Sequence, residues 1–108
     1  MANKGLFMVM AKVPPGKEEA YNRWYNEDHM PKALERFPGV LSGRRYKITE
    51  GGEGYNYLAI YEYETYEKLM ETAKSEALKQ LIKEYNEAFG EGNRKRIFGM
   101  EIKALLVD

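Results

Sequence analysis

The segment 55-YNYLAIYEY-63 decides the fold. Successive side chains of an extended strand point to opposite faces, so Tyr55, Tyr57, Ala59, Tyr61 and Tyr63 share one side and Asn56, Leu58, Ile60 and Glu62 the other. A row of tyrosines thus opposes Leu58 and Ile60 across one strand. Upstream, the loop 50-EGGEG-54 carries three glycines that permit a chain reversal, and 40-VLSGRRYKIT-49 before it reads as another strand. Downstream, 65-TYEKLMETAKSEALKQLIKEYNEAF-89 has helical periodicity. Thr65 is a natural N-cap and Gly90 a natural residue beyond the C-terminus, with a break expected near Ser75. Leu69, Ala73, Ala77, Leu81 and Tyr85 form the predicted buried stripe of this helix.

At the ends of the chain the same reading gives two more strands and one more helix. Residues 5-GLFMVMAKV-13 are apolar in both alternating sets and stop at 14-PPG-16, which cannot continue a sheet. The final strand is predicted over 94-RKRIFGMEIKALLV-107. From Lys17 onward a helix places Tyr21, Trp24, Tyr25 and Asp28 on one side. Pro31 disfavours helical geometry at Met30, so this helix is expected to break or kink there, with 32-KALERF-37 a further turn before 38-PG-39.

The element order is βαββαβ, which predicts an α+β, ferredoxin-like fold: a four-stranded antiparallel sheet with two helices on one face. Two helices cover only one side of such a sheet. The first strand is apolar on both sides, Leu6, Met8 and Met10 against Phe7, Val9 and Ala11, so an apolar face is left over. Exposed patches of that kind mark interfaces, and a homodimer with sheets packed face to face would cover it by a two-fold, self-complementary contact.

A length of 108 residues fits one domain spanning 1–108. The 17 Lys+Arg balance 17 Asp+Glu, so no electrostatic footprint for nucleic acid is present. The short clusters 44-RR-45 and 94-RKR-96 are expected to be strand-edge or solvated charges. The absence of cysteine removes disulfides, thiol nucleophiles and Cys-ligated metals, and fits a reducing compartment. The apolar run 5-GLFMVMA-11 is far below the ~20 residues of a membrane span and has no cleavage site after it, so a cytoplasmic protein without membrane association is expected. Nine tyrosines suit either a wet interface or a ligand cavity, since each combines apolar area with a hydroxyl.

The combination of 24-WYNEDHMP-31, 38-PGVLSGRRY-46 and 57-YLAIYEYE-64 resembles the dimeric α/β-barrel superfamily, specifically its EthD-like members. That superfamily includes cofactor-independent monooxygenases, cyclases, isomerases and haem-degrading enzymes, so the resemblance implies a fold and not one reaction. It implies that His29 ends the first helix facing a cleft, with Trp24, Tyr25 and Asp28 on the same helix and Tyr46 and a third-strand tyrosine opposite. Many relatives carry a second histidine nearby. Here the neighbours are Asn26, Glu27 and Asp28, against any mechanism that needs two imidazoles.

His29 is the single histidine and exchanges protons easily near neutral pH. Tyr25 lies four residues before it, on the same helical face. Two readings follow. As a general base, His29 would deprotonate an acidic carbon or hydroxyl of a small aromatic or polyketide-like ligand while Tyr25 or Tyr46 hydrogen-bonds the oxyanion. As a structural residue, it would cap the helix C-terminus. Asp28 is expected to be solvated or to pair with Arg44 or Arg45. Trp24 is either a core residue or a plate on which a ligand stacks, and Tyr61 and Tyr63 are the strand tyrosines best suited to a cavity. One histidine without cysteine excludes a structural zinc site, so no metal and no cofactor are expected. Haem enters only through the resemblance, with His29 as axial ligand. The functional expectation is a cofactor-independent enzyme with a small hydrophobic pocket; the alternative is a non-catalytic accessory or ligand-binding protein.

Overall fold

The computed structural model describes residues 3–107. Four strands, β1 (Gly5–Ala11), β2 (Val40–Lys47), β3 (Tyr57–Tyr63) and β4 (Arg94–Met100), form one antiparallel sheet in the order β2-β3-β1-β4. The helices α1 (Glu18–Trp24), α2 (Met30–Arg36), α3 (Tyr66–Ala73) and α4 (Glu76–Phe89) pack on one face. The expected ferredoxin-like α+β architecture is therefore present.

The tyrosine row of β3 makes the core beneath the helices. Tyr57, Ala59, Tyr61 and Tyr63 are all buried, and β1 turns Phe7, Val9 and Ala11 to the same side, in register with Tyr61, Ala59 and Tyr57. Thr65 caps α3, its hydroxyl accepting from the Lys68 N–H at 3.1 Å. Ser75 does the same for α4 through the Leu78 N–H at 3.1 Å, and this second cap is the physical cause of the expected break. Leu69, Leu81 and Tyr85 are buried as their periodicity predicted, joined by Thr72 and Leu78.

Three expectations are corrected. The first helix does not end at Pro31. The segment Tyr25–His29 between α1 and α2 is π-helical, with the Met30 N–H bonded to the Tyr25 carbonyl five residues back, and the chain stays helical to Arg36. Proline lacks an N–H and its ring collides with the carbonyl four residues earlier in an α-helix; widening the turn before it eases that collision, so the rod passes Pro31 with one donor missing but without breaking. The second correction concerns the last strand, which stops at Met100 instead of Val107. The Glu101 N–H still reaches the Lys4 carbonyl at 2.9 Å, but residues 102–107 are in no strand, and Ile102, Leu105, Leu106 and Val107 stand at least 83% exposed. Third, Arg94 and Arg96 do lie on an edge strand, β4, but they are not solvated: their pairing with Ala11 and Val9 turns both inward, half-buried, and only Lys95 between them is exposed.

The opposite sheet face carries no helix. Leu6, Met8 and Met10 of β1, Leu58 and Ile60 of β3 and Ile97 of β4 lie there side by side. None of them is fully buried in the protomer. Among the described residues, no helix is long and apolar enough to cross a membrane.

Candidate functional site

The π-helical turn sets the position of His29. Winding five residues between hydrogen-bonded groups brings positions five apart over one another, and the Trp24 and His29 rings stack at 4.6 Å with planes 22° apart. Tyr25 meets the imidazole edge-on at 4.8 Å, and Tyr85 of α4 approaches it at 5.9 Å. The imidazole is thus buried, 7% exposed, between helix and sheet. Because the helix continues for seven residues beyond it, His29 is not at a helix C-terminus, and the capping reading has no carbonyls to act on.

A small cavity opens beside the imidazole. Phe7, Tyr25, Tyr61, Arg94 and Arg96 line it with His29, and apolar side chains of α2 and α4 complete it. The space left for water is ≈ 20 Å³, enough for about one molecule; counting its open mouth, the atom-free volume is ≈ 320 Å³. The Tyr25 and Tyr61 hydroxyls share a buried hydrogen bond of 3.2 Å. A pair of hydroxyls uses only one of its two protons internally, so one O–H remains available to a third group. Burial holds the Tyr25 phenol well above its usual range and pushes Tyr61 up to about 12, so both keep their protons at neutral pH.

His29 responds to the same surroundings in the other direction. Burial first, then the positive field of Arg94, lowers its pKa from 6.5 to about 4; Glu84 and Asp28 act against them, and Lys32 adds to the lowering. The ring is therefore neutral at physiological pH. Its Nδ1 is buried with no hydrogen-bond partner among the described residues. In the tautomer protonated at Nε2, that atom carries a free lone pair.

The other residues expected at a site are distributed as follows. Tyr61 lines the cavity with Tyr25 and His29, as the alternation of β3 implied. Trp24 supports the imidazole from behind, and packs edge-on against Phe89 at 5.2 Å; it does not line the cavity and is a packing residue. Tyr63 is fully buried at the far end of β3, outside the cavity, with its hydroxyl unpartnered. Tyr46 is a correction: in β2 it pairs with Leu58 and so points to the helix-free face, 47% exposed, with the sheet between it and His29. Its neighbour Arg45 takes the inward place, with its guanidinium 4.5 Å from the Tyr25 ring centre and hydrogen-bonded to Asn26 at 2.9 Å. Asp28 pairs with Lys32 at 3.1 Å, one helical turn on, and not with either strand arginine.

Sequence reasoning missed Arg94 and Arg96 as cavity residues. The signal was their spacing of two, in phase with Phe98, which stacks on Phe7 at 4.9 Å. Among the described residues, no group of three or more His, Asp or Glu side chains could hold a metal ion. Haem does not fit here either. The axial-ligand candidate is enclosed by Trp24, Tyr25 and Tyr85, and the space beside it, ≈ 320 Å³ with its open mouth, is on the scale of a one- or two-ring molecule rather than a macrocycle.

This arrangement of four antiparallel strands and one helical layer defines the class: a ferredoxin-like α+β protein. The chain belongs to the family of the domain of unknown function DUF4286, which matches residues 4–100. No curated protein matches it. Among solved structures, it is similar to an ethyl tert-butyl ether D (EthD) family protein from Bacillus halodurans C-125, at 17% identity over 93% of this chain and 99% of that one, with a TM-score of 0.68. It is also similar to a heme-degrading protein from Mycobacterium tuberculosis, at 16% identity over 99% and 100% of the two chains and a TM-score of 0.68. A third similar structure is a dimeric protein of unknown function with a ferredoxin-like fold from Bacteroides fragilis NCTC 9343, at 13% identity over 91% and 96%, with a TM-score of 0.63. At these identities the likeness concerns the fold, and in that respect the EthD-like resemblance holds.

Proposed function

We propose that the protein is a cytoplasmic homodimer in which each protomer binds a small aromatic or polyketide-like molecule at the His29 cavity and acts on it without a cofactor. The observation that carries this reading is the buried, neutral imidazole whose Nδ1 has no partner. An unpaired buried acceptor costs free energy, on the order of 1–3 kcal/mol, and such a cost is retained where a ligand supplies the missing donor. The Nδ1 lone pair would take a proton from an acidic C–H or O–H of the ligand, leaving the electron pair on the ligand's oxygen. That oxyanion would accept the spare O–H of the Tyr25–Tyr61 pair. Cyclisation, isomerisation and oxygenation of an activated ring all begin with this step. Tyr61 thus takes the role expected of Tyr46.

Support for the dimer is the helix-free face of Leu6, Met8, Met10, Leu58, Ile60 and Ile97, together with the exposed apolar residues after β4. The dimeric description of the Bacteroides fragilis protein agrees with it.

A non-catalytic, ligand-binding role is the second reading, favoured by the depressed pKa: an imidazole near 4 is a weak base. Deuterium exchange separates the two. A panel of aromatic ketones and phenols is incubated in heavy water with the protein and with His29→Gln, and exchange into each compound is read by mass spectrometry. Catalysis requires exchange with the native protein and none with a His29→Gln variant that still binds. Binding without exchange in both selects the accessory role, and equal exchange in both removes His29 as the base.

A further inference from the structure

The cavity holds two positive charges and nothing to balance them. Arg94 and Arg96 are two residues apart on β4, on the same face and half-buried, beside Ala11 and Val9 of β1. No Asp or Glu lines the cavity. Among the described residues, no carboxylate oxygen comes within ion-pair distance of either guanidinium, and Glu84 of neighbouring α4, one of its three glutamates, is already held by Lys32 at 3.0 Å and Arg36 at 3.8 Å. Arg94 is fixed rather than loose. Its guanidinium lies 3.7 Å from the Tyr85 ring centre and donates to the Asn86 side-chain oxygen at 2.6 Å, while its Nε–H is buried without an acceptor. The small Ala11 beside it leaves the room in which this side chain turns inward.

Burying two like charges without a counter-ion is unfavourable, and a protein that needed only packing would place apolar side chains here. Each arginine accordingly holds its charge less readily than usual, because of burial and, for Arg94, the field of Arg96. A planar guanidinium offers a fork of N–H donors that matches a carboxylate, and the pre-set orientation of Arg94 lowers the entropy lost on binding one. The rest of the wall is aromatic or aliphatic: Phe7, Phe37, Tyr61, Leu78 and Leu81. A charged head and an apolar, flat body are what such a site complements.

We infer that Arg94 and Arg96 form the acid-recognising end of the His29 cavity, so that its ligand is a small aromatic carboxylate whose anionic group lies between the two guanidiniums and whose ring occupies the open mouth, with its edge toward Phe7, Tyr61 and His29. This deepens the reading of the cavity as a ligand site and rests on it. The bound anion would also offset the field that Arg94 exerts on the imidazole, bringing His29 closer to the strength a base needs.

The test compares 2-naphthoate with its neutral analogue 2-naphthamide and with inorganic phosphate, by calorimetric titration of the native protein, Arg94→Gln, Arg96→Gln and His29→Gln. The native protein should bind the carboxylate at least about tenfold more tightly than the amide, the effect of one charge-assisted hydrogen bond. Each arginine variant should lose about that factor for the acid and leave the amide unchanged. His29→Gln should keep the preference, so loss of the base leaves this inference standing. Arg94 packs on Tyr85, and Arg96→Gln gives an independent reading should the Arg94 variant fold poorly. Equal binding of acid and amide, a preference that survives in both arginine variants, binding of phosphate as tight as the carboxylate, or no binding of the acid at all would each overturn it.

Discussion

Acid should weaken the fold through one imidazole. His29 has a folded-state pKa of about 4 against 6.5 when unperturbed, so between those values the unfolded chain holds a proton that the folded chain excludes. A base whose pKa is depressed by folding contributes its stability above the unfolded value and loses it as pH falls toward the folded value. Integrating the linkage relation over these two values gives a loss of ~2 kcal/mol between about pH 7 and pH 5, and ~3 kcal/mol by about pH 4. Against a total of roughly 5–15 kcal/mol, that is a large fraction. Carboxylates do not confuse the window, because Glu18 and Glu84, whose pKa values are lowered by Tyr57 and Lys32 respectively, lose their contribution only as pH falls below 4.5. With one histidine in the chain, the upper part of the window belongs to His29 alone. Urea unfolding followed by far-ultraviolet circular dichroism at a series of pH values measures it, with His29→Gln as the control that cannot titrate. A native protein whose stability is flat from pH 7 to 5 would refute the buried, neutral imidazole. An equal loss in His29→Gln would assign the effect elsewhere.

Other expectations follow from particular contacts. Tyr61→Phe removes the 3.2 Å partner of the buried Tyr25 hydroxyl and should cost roughly 1–2 kcal/mol in urea unfolding, while Tyr46→Phe, on the other sheet face, should be nearly neutral. Met8→Glu places a charge in the middle of the helix-free face, where its neighbours across the ladders are Ile60 and Ile97. Sedimentation should then show monomers with a native circular dichroism spectrum; an unchanged molecular mass for native and variant protein would rule out this face as the subunit contact.

The site was legible only in part. His29, Tyr25 and Tyr61 could be singled out because residue type and local spacing identify them, and they do meet at one cavity. Tyr46 could not be placed. The segment 40-VLSGRRYK-47 has no clean apolar alternation, so nothing in it tells which residues turn inward, and the bulge between Val40 and Ser42 shifts the register as well. Arg94 and Arg96 were hidden by a general expectation that charges face water, which a strand beside small residues and an aromatic wall does not obey.

The sequence by itself determined the order of strands and helices, the cap at Thr65, the break at Ser75 and the inward tyrosine row, because each is a matter of neighbours along the chain: alternation, periodicity, a hydroxyl three residues from an N–H. Only the tertiary structure decided that the helix passes through Pro31 by way of a π-helical turn, that His29 is enclosed and neutral, and that two arginines from the last strand stand beside it without a counter-charge. Those properties depend on what distant segments bring to the same place. Burial and electric field are sums over contacts between residues far apart in sequence, and no local pattern records them.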